Sequence, residues 1–141
     1  MYEFEHSVET AASAAAIYRL YSDVAAWPSW DAGVTQVELH GPFAAGTTGV
    51  LTPTGQEPLP FRMVEAAENA GFVDETDIPA TATLRFEHRL ASLTGGGTRI
   101  THRVVITGPA AQQLGPIVTA DVPSAVAALA DHALRSERAS A

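Results

Sequence analysis

Residues 81–108 carry the cleanest alternation of apolar and polar positions in the chain. Ala82, Leu84, Phe86, His88 and Leu90 share one parity, and Thr83, Arg85, Glu87 and Arg89 share the other. The pattern returns with Ile100, His102, Val104 and Ile106 against Arg99, Thr101, Arg103 and Thr107. Period-two alternation of this length predicts two half-buried strands. Gly95-Gly96-Gly97 between them supplies the positive-φ residues of a hairpin turn. A turn centred on Gly95 sets Leu90 against Ile100, Phe86 against Val104 and His88 against His102. On the other surface Glu87 faces Arg103, an opposite-charge pair that supports the register. Two imidazoles therefore stand side by side on an otherwise apolar face.

Tyr2, Phe4, His6 and Val8 alternate with Glu3, Glu5, Ser7 and Glu9, so the chain opens on a strand with an acidic outer face. Laid beside the second hairpin strand, its glutamates meet Arg99 and Arg103, and His6 joins the face of His88 and His102. Residues 10–24 read as a helix capped by Thr10 or Ser13, with Ile17, Leu20, Tyr21 and Val24 at helical spacing. Trp27-Pro28-Ser29-Trp30-Asp31 breaks it. Strands are predicted over 34–40, with Val37 and Leu39 inward, and over 46–52. Residues 60–67 and 71–76 form a second hairpin around Glu68-Asn69, and neither arm alternates cleanly enough to fix its facing. Beyond Gly108-Pro109, Leu114, Val118, Val122, Val126 or Ala125, Leu129 and Ala133 recur every three or four residues. They predict one long amphipathic helix with Pro116 near its start, a kink at Pro123 and a frayed end over 136–141.

With 141 residues and no linker or repeat, the chain reads as a single domain, 1–141, large enough for a real core. A net charge of −8, with eight arginines and no lysine, argues against nucleic acid and anionic membrane as partners. No run of about twenty apolar residues suggests membrane insertion, and the acidic, strand-like N-terminus does not read as a secretory signal. Lack of cysteine removes disulfides, thiolate ligands and a cysteine nucleophile. The default location is cytoplasmic. Small molecules or proteins remain as partners, and a homodimer through exposed sheet or helix surface is compatible with the sequence. The glycine run lies in a hairpin rather than before a helix, so it is no phosphate cradle, and no G-x-S-x-G elbow is present. No cofactor is called for.

A curved antiparallel sheet with one apolar face needs a cover, and only the final helix is long enough. Ser22-Asp23-Val24, Trp27-Pro28-x-Trp30-Asp31-x-Gly33-Val34 and Gly41-Pro42-Phe43-x-x-Gly46-Thr47 resemble the polyketide cyclase/dehydrase-like branch of the START-like (SRPBCC) superfamily. Leu84-Arg85-Phe86-Glu87-His88, Thr98-Arg99-Ile100-Thr101-His102 and the Gly108-Pro109 entry to the last helix fit as well. The resemblance covers nearly the whole chain. It implies an α+β helix-grip fold, a seven-stranded antiparallel sheet around the C-terminal helix with a short helical segment after the first strand. It also implies a pocket between helix and sheet for an apolar or aromatic small molecule. Members range from aromatase/cyclases to non-catalytic carriers, so no catalytic role transfers by name.

Three readings follow. In the first, the protein binds a small hydrophobic, aromatic or polyketide-like molecule, with His6, Trp27, Trp30, Phe61, Met63, Phe86, His88, His102, Val118 and Val122 as candidate lining residues. In the second, it is a cofactor-free cyclase or dehydratase, a lyase or isomerase in which His88 and His102 act as acid and base. Adjacent imidazoles in a low dielectric disfavour double protonation, leaving one neutral, a pairing suited to enolisation and ring closure. In the third, it is an interaction domain whose cavity is filled by its own side chains. Small residues such as Ala82, Ala125 and Ala133 favour an open interior. His6 would complete a three-imidazole set that zinc accepts. The spacing is non-local and no carboxylate is expected on that face, so no metal is assigned. Trp27 and Trp30 read as a hydrophobic plug before a ligand-stacking lid, Asp31 as a turn residue, Asp121 as solvated or on the pocket rim, and Asp74-Glu75-x-Asp77 as a solvated strand end.

Overall fold

The hairpin forms in the predicted register. In the computed structural model, which describes residues 1–140, β6 (Ala82–Ser92) and β7 (Thr98–Thr107) pair His88 with His102, Phe86 with Val104 and Glu87 with Arg103. Gly95, Gly96 and Gly97 turn the chain at φ of 91°, 107° and 88°, where a side chain would be strained. The first strand, β1 (Tyr2–Thr10), lies antiparallel to β7 and sets His6 opposite His102. Strands β2 (Val34–Leu39), β3 (Thr48–Pro53), β4 (Leu59–Ala67) and β5 (Gly71–Ile78) complete a seven-stranded antiparallel sheet in the order β1-β7-β6-β5-β4-β3-β2.

The first helix is shorter than the periodicity suggests. Thr10 ends β1, and α1 (Ala14–Ser22) starts after Ser13, whose hydroxyl accepts from the Ala16 amide at 3.1 Å. A 3-10 turn at Val24–Ala26 leads into the single turn α2 (Trp27–Trp30), where Pro28 in the first turn gives up no needed N–H.

The long C-terminal helix forms as α4 (Val122–Ser140), and the stretch expected to begin it is a separate helix, α3 (Ala111–Thr119), parted from it at Ala120 and Asp121. Pro123 cannot donate to the carbonyl four residues back, so the ladder stops there, and the Thr119 hydroxyl bonds the Gly115 carbonyl at 2.8 Å. Pro116 lies inside α3 rather than at a start. The expected fraying fails as well, because Ser136 through Ser140 are helical; Ala141 lies outside the described residues. Glu137 ties this end to the cap of α1, accepting from the Ser13 amide at 2.9 Å and from its hydroxyl. By length and composition alone Ala111–Ser140 is apolar enough to cross a membrane. Here its apolar stripe, Ala125, Val126, Leu129, Ala130 and Ala133, is buried in the core.

The second hairpin resolves its facing through a bulge between Met63 and Glu65. Phe61, Met63, Phe72, Asp74 and Thr76 are buried. On the outer surface, arginines and carboxylates form a ladder across five strands. Arg62 binds Glu75 and Asp77, Arg85 binds Glu75 and Glu87, Arg103 binds Glu87 and Glu3, Arg99 binds Glu9, and Arg89 binds Glu65.

Candidate functional site

The two imidazoles sit in the middle of an aromatic cluster. Their ring centroids are 4.6 Å apart at 79°. The register of β5 on β6 sets Phe72 opposite His88, and the two rings stack at 3.8 Å and 8°. Tyr21, delivered by α1 and fully buried, shares a 2.8 Å hydrogen bond between its hydroxyl and His102 Nε2. It also meets the rings of Phe72, His88 and Trp30. Trp27 donates its indole N–H to the Tyr21 carbonyl at 2.8 Å and stacks on Phe72. Both tryptophans are thus packed as a plug.

Hydrogen bonding fixes one tautomer. A backbone carbonyl only accepts, so the 3.1 Å contact of His88 Nδ1 with the Phe72 carbonyl puts the proton on Nδ1. His88 Nε2 is then a bare acceptor. Burial drives the His88 pKa down to about 3, with the Phe72 carbonyl opposing the shift. Burial, then the neighbouring His88 and His6, also hold His102 well below its ordinary value. Both imidazoles are neutral near pH 7, whereas one neutral partner was the expectation. Tyr21 keeps its phenolic proton, since burial raises its pKa well above 10.

Asp74 overturns the expectation that no carboxylate shares this face. Only Glu75 and Asp77 of the acidic run join the outer ladder. Asp74 stands opposite Phe86 on β6 and Met63 on β4, with 6 % of its surface exposed. Burial, then the Glu75 charge, pushes its pKa up to about 8. Its carboxyl makes no hydrogen bond among the described residues. The signal for it was the Pro79-Ala80 turn, which folds β5 onto β6 and places Asp74 beside Phe86, a residue of the histidine parity. Nothing in the sequence marked Tyr21 as the partner of His102.

The apolar interior divides into two clusters. Trp27, Trp30, Phe61 and Met63 belong to the larger, and Phe86, Val118 and Val122 pack against the smaller, built on Leu84, Val104 and Ile106. Val122 touches both, and Asp74 sits on the seam between Met63 and Phe86. Phe86, Leu114, Val118 and Val122 at the smaller cluster are only half-buried. The alanines expected to leave room are buried: Ala82 is 7 % exposed, Ala125 6 % and Ala133 0 %. Two open grooves mark the surface, the smaller of them beside the plug. One of about 560 Å³ lies against Tyr18, Arg19, Phe43 and Glu68. The other, about 200 Å³, lies against Trp30, Asp121, Ser124 and Ala125. Trp30 Nε1 is a fully buried polar atom without a partner. Asp31 makes the expected turn, accepting from the Gly33 amide at 3.0 Å. Among the described residues no three His or carboxylate groups gather as a metal site, so His6, His88 and His102 do not form one.

The family described as polyketide cyclase / dehydrase and lipid transport matches residues 1–139. No curated protein matches the chain. Among solved structures, a protein of Thermobifida fusca is 25 % identical, with a TM-score of 0.77 over 96 % of this chain and 95 % of that one. The Zhui aromatase/cyclase of Streptomyces sp. R1128 is 17 % identical, with a TM-score of 0.78 over 99 % of this chain and 97 % of that one. Norcoclaurine synthase of Thalictrum flavum is 14 % identical, with a TM-score of 0.72 over 94 % of this chain and 86 % of that one. The helix-grip architecture is common to these, and the chain belongs to the polyketide cyclase/dehydrase and lipid-transport family of START-like proteins.

Proposed function

We propose that the protein binds a small apolar molecule, aromatic or polyketide-like, in the seam between its two apolar clusters, beside Asp74, Phe86 and Val122. The observation that carries this reading is a buried, unpartnered carboxyl amid half-buried inward-facing side chains. A carboxyl largely removed from water with no protein partner calls for one, and ligand pockets are apolar with a few convergent polar groups of this kind. Membership of a family described by cyclisation and lipid transport supports the same ligand class. Native mass spectrometry of untagged protein tests it against the denatured mass. The expected result is a mass excess lost on denaturation, or, for empty protein, a thermal shift with apolar aromatic ligands. A bare mass together with no shift across a broad panel refutes the reading and leaves the interaction domain with a filled interior.

The adjacency of His88 and His102 favours a second reading, a cofactor-free cyclase or dehydratase with these two as acid and base. Their burial works against it, because an imidazole held near pKa 3 is a weak base. His88→Gln and His102→Gln should abolish turnover of a poly-β-ketone. Unchanged turnover in both removes the catalytic reading.

A further inference from the structure

The unpartnered carboxyl of Asp74 bears on what the site selects, an inference that rests on the ligand-binding reading above. The interior offers few free polar atoms. His88 Nδ1 is committed to the Phe72 carbonyl, and His102 Nε2 to Tyr21. The Thr119 hydroxyl is held by Gly115, and the Thr98 hydroxyl by Ala12. The Asp74 carboxyl on β5 and His88 Nε2 on β6 remain, with Trp30 Nε1 on α2 and the Thr76 hydroxyl further along β5. The first two are diagonal neighbours on one sheet face, because Asp74 pairs with Phe86 and His88 lies two residues further along the same strand. Diagonal neighbours stand about 7–8 Å apart, a span that a bicyclic molecule bridges. One of the two sites donates and the other only accepts.

We propose that the Asp74 carboxyl donates a hydrogen bond to a carbonyl oxygen of a neutral ligand, and that His88 Nε2 accepts from a hydroxyl at the ligand's other end. Asp74 is therefore a specificity-determining residue that selects ketones over hydrocarbons of the same shape. Among the described residues no cationic side chain bonds Asp74, and the charge that acts on it is that of Glu75. A carboxyl in that setting keeps its proton at neutral pH and donates. It does not act as a counter-ion.

The test compares four probes of one shape at pH 6.5 by calorimetry: tetralin, 1-tetralone, 6-hydroxy-1-tetralone and 1-aminotetralin. The wild type is expected to bind 1-tetralone about tenfold more tightly than tetralin, the worth of one added hydrogen bond, and the hydroxyketone more tightly again. Asp74→Leu removes the donor, so the ketone preference vanishes while tetralin affinity holds. Asp74→Asn retains an N–H donor and keeps the preference, which a merely structural role would not predict. The carbonyl stretch of bound 1-tetralone gives an independent readout: lowered in the wild type and Asp74→Asn, and at its apolar-solvent frequency in Asp74→Leu. Equal affinities for ketone and hydrocarbon in the wild type overturn the assignment and leave the ligand-binding reading standing. Preference for 1-aminotetralin overturns it in favour of a carboxylate counter-ion. Failure of all four to bind the wild type overturns the assignment, and the ligand-binding reading falls only with a bare native mass and a silent broad panel.

Discussion

Replacing Asp74 with asparagine should change how stability depends on pH above neutrality. Folded Asp74 has its pKa raised from 3.8 to about 8. Between these limits the folded protein holds a proton that the unfolded chain has released, so stability falls as pH rises towards 8. His88 acts in the opposite sense. Its folded pKa of about 3 lies below the ordinary 6.5, so the unfolded chain takes up a proton below pH 6.5 that the folded one refuses, and stability falls with acidification through that window. His102, lowered in the same direction, adds to this limb. The two histidines outweigh the single aspartate below pH 6.5, and above it Asp74 prevails. Stability should therefore peak near pH 6.5. From there to pH 8 the loss from Asp74, which is half-ionised at pH 8, is partly offset by the last of the unfolded-state histidine protonation, and the wild type loses about 1 kcal/mol.

Urea unfolding at constant ionic strength, at half-unit steps from pH 6.5 to 8, measures this directly. The slope m should stay constant while the midpoint moves. Asp74→Asn fills the same space, does not titrate, and should hold or slightly gain stability across the window as the unfolded-state histidines lose their last protons. A wild type that is flat there, or an Asn variant that falls as steeply as the wild type, would refute the idea that Asp74 is buried as an acid.

Three further outcomes test the packing around the site. Tyr21→Phe deletes the hydroxyl bonded to His102 Nε2 and should cost about 1–3 kcal/mol in denaturant unfolding, with a shift of the His102 ring nitrogen resonances as the local signature. Gly115→Ala would place a methyl 2.4 Å from the Tyr2 ring, where α3 crosses β1, and should destabilise by about 1–3 kcal/mol in the same assay. Ser13→Ala removes the α1 cap and the hydroxyl half of the contact to Glu137, leaving the amide bond. A loss of about 1 kcal/mol is expected, together with faster amide exchange over residues 136–140; protection unchanged there would mean that the hydroxyl bond to Glu137 does not anchor the helix end.

The β6–β7 register was legible because both arms alternate and three glycines mark the turn, so His88, His102 and the charge pair on the far side followed together. The β4–β5 hairpin was harder. Gly71, Phe72, Val73 and Asp74 are buried in succession, because Val73 on the outer face lies between Glu65 and Glu87 of the ion-pair ladder. With both faces covered, alternation disappears, and an aspartate in such a run reads as solvated. The C-terminal break was half legible. Pro123 signals an interruption, but whether a helix bends or stops depends on what the freed carbonyls find, and that is tertiary information. The hydroxyl of Tyr21 left no trace, since helical spacing reports only which side faces inward. The neutrality of the imidazole pair was readable in principle, and its extent came only with the rings that close around it.

The outer ladder has a consequence for how molecules arrive. It binds five of the eight arginines to six of the sixteen carboxylates, leaving three arginines against ten carboxylates over the rest of the chain. Setting aside Asp74, which is buried and keeps its proton, nine carboxylates against three arginines put most of the negative excess outside the ladder. An anionic compound feels that excess over about 8 Å at physiological ionic strength, before it touches anything, whereas an uncharged one diffuses in unopposed. Discrimination by charge begins in solution as a difference in encounter rate, and added salt should shrink it.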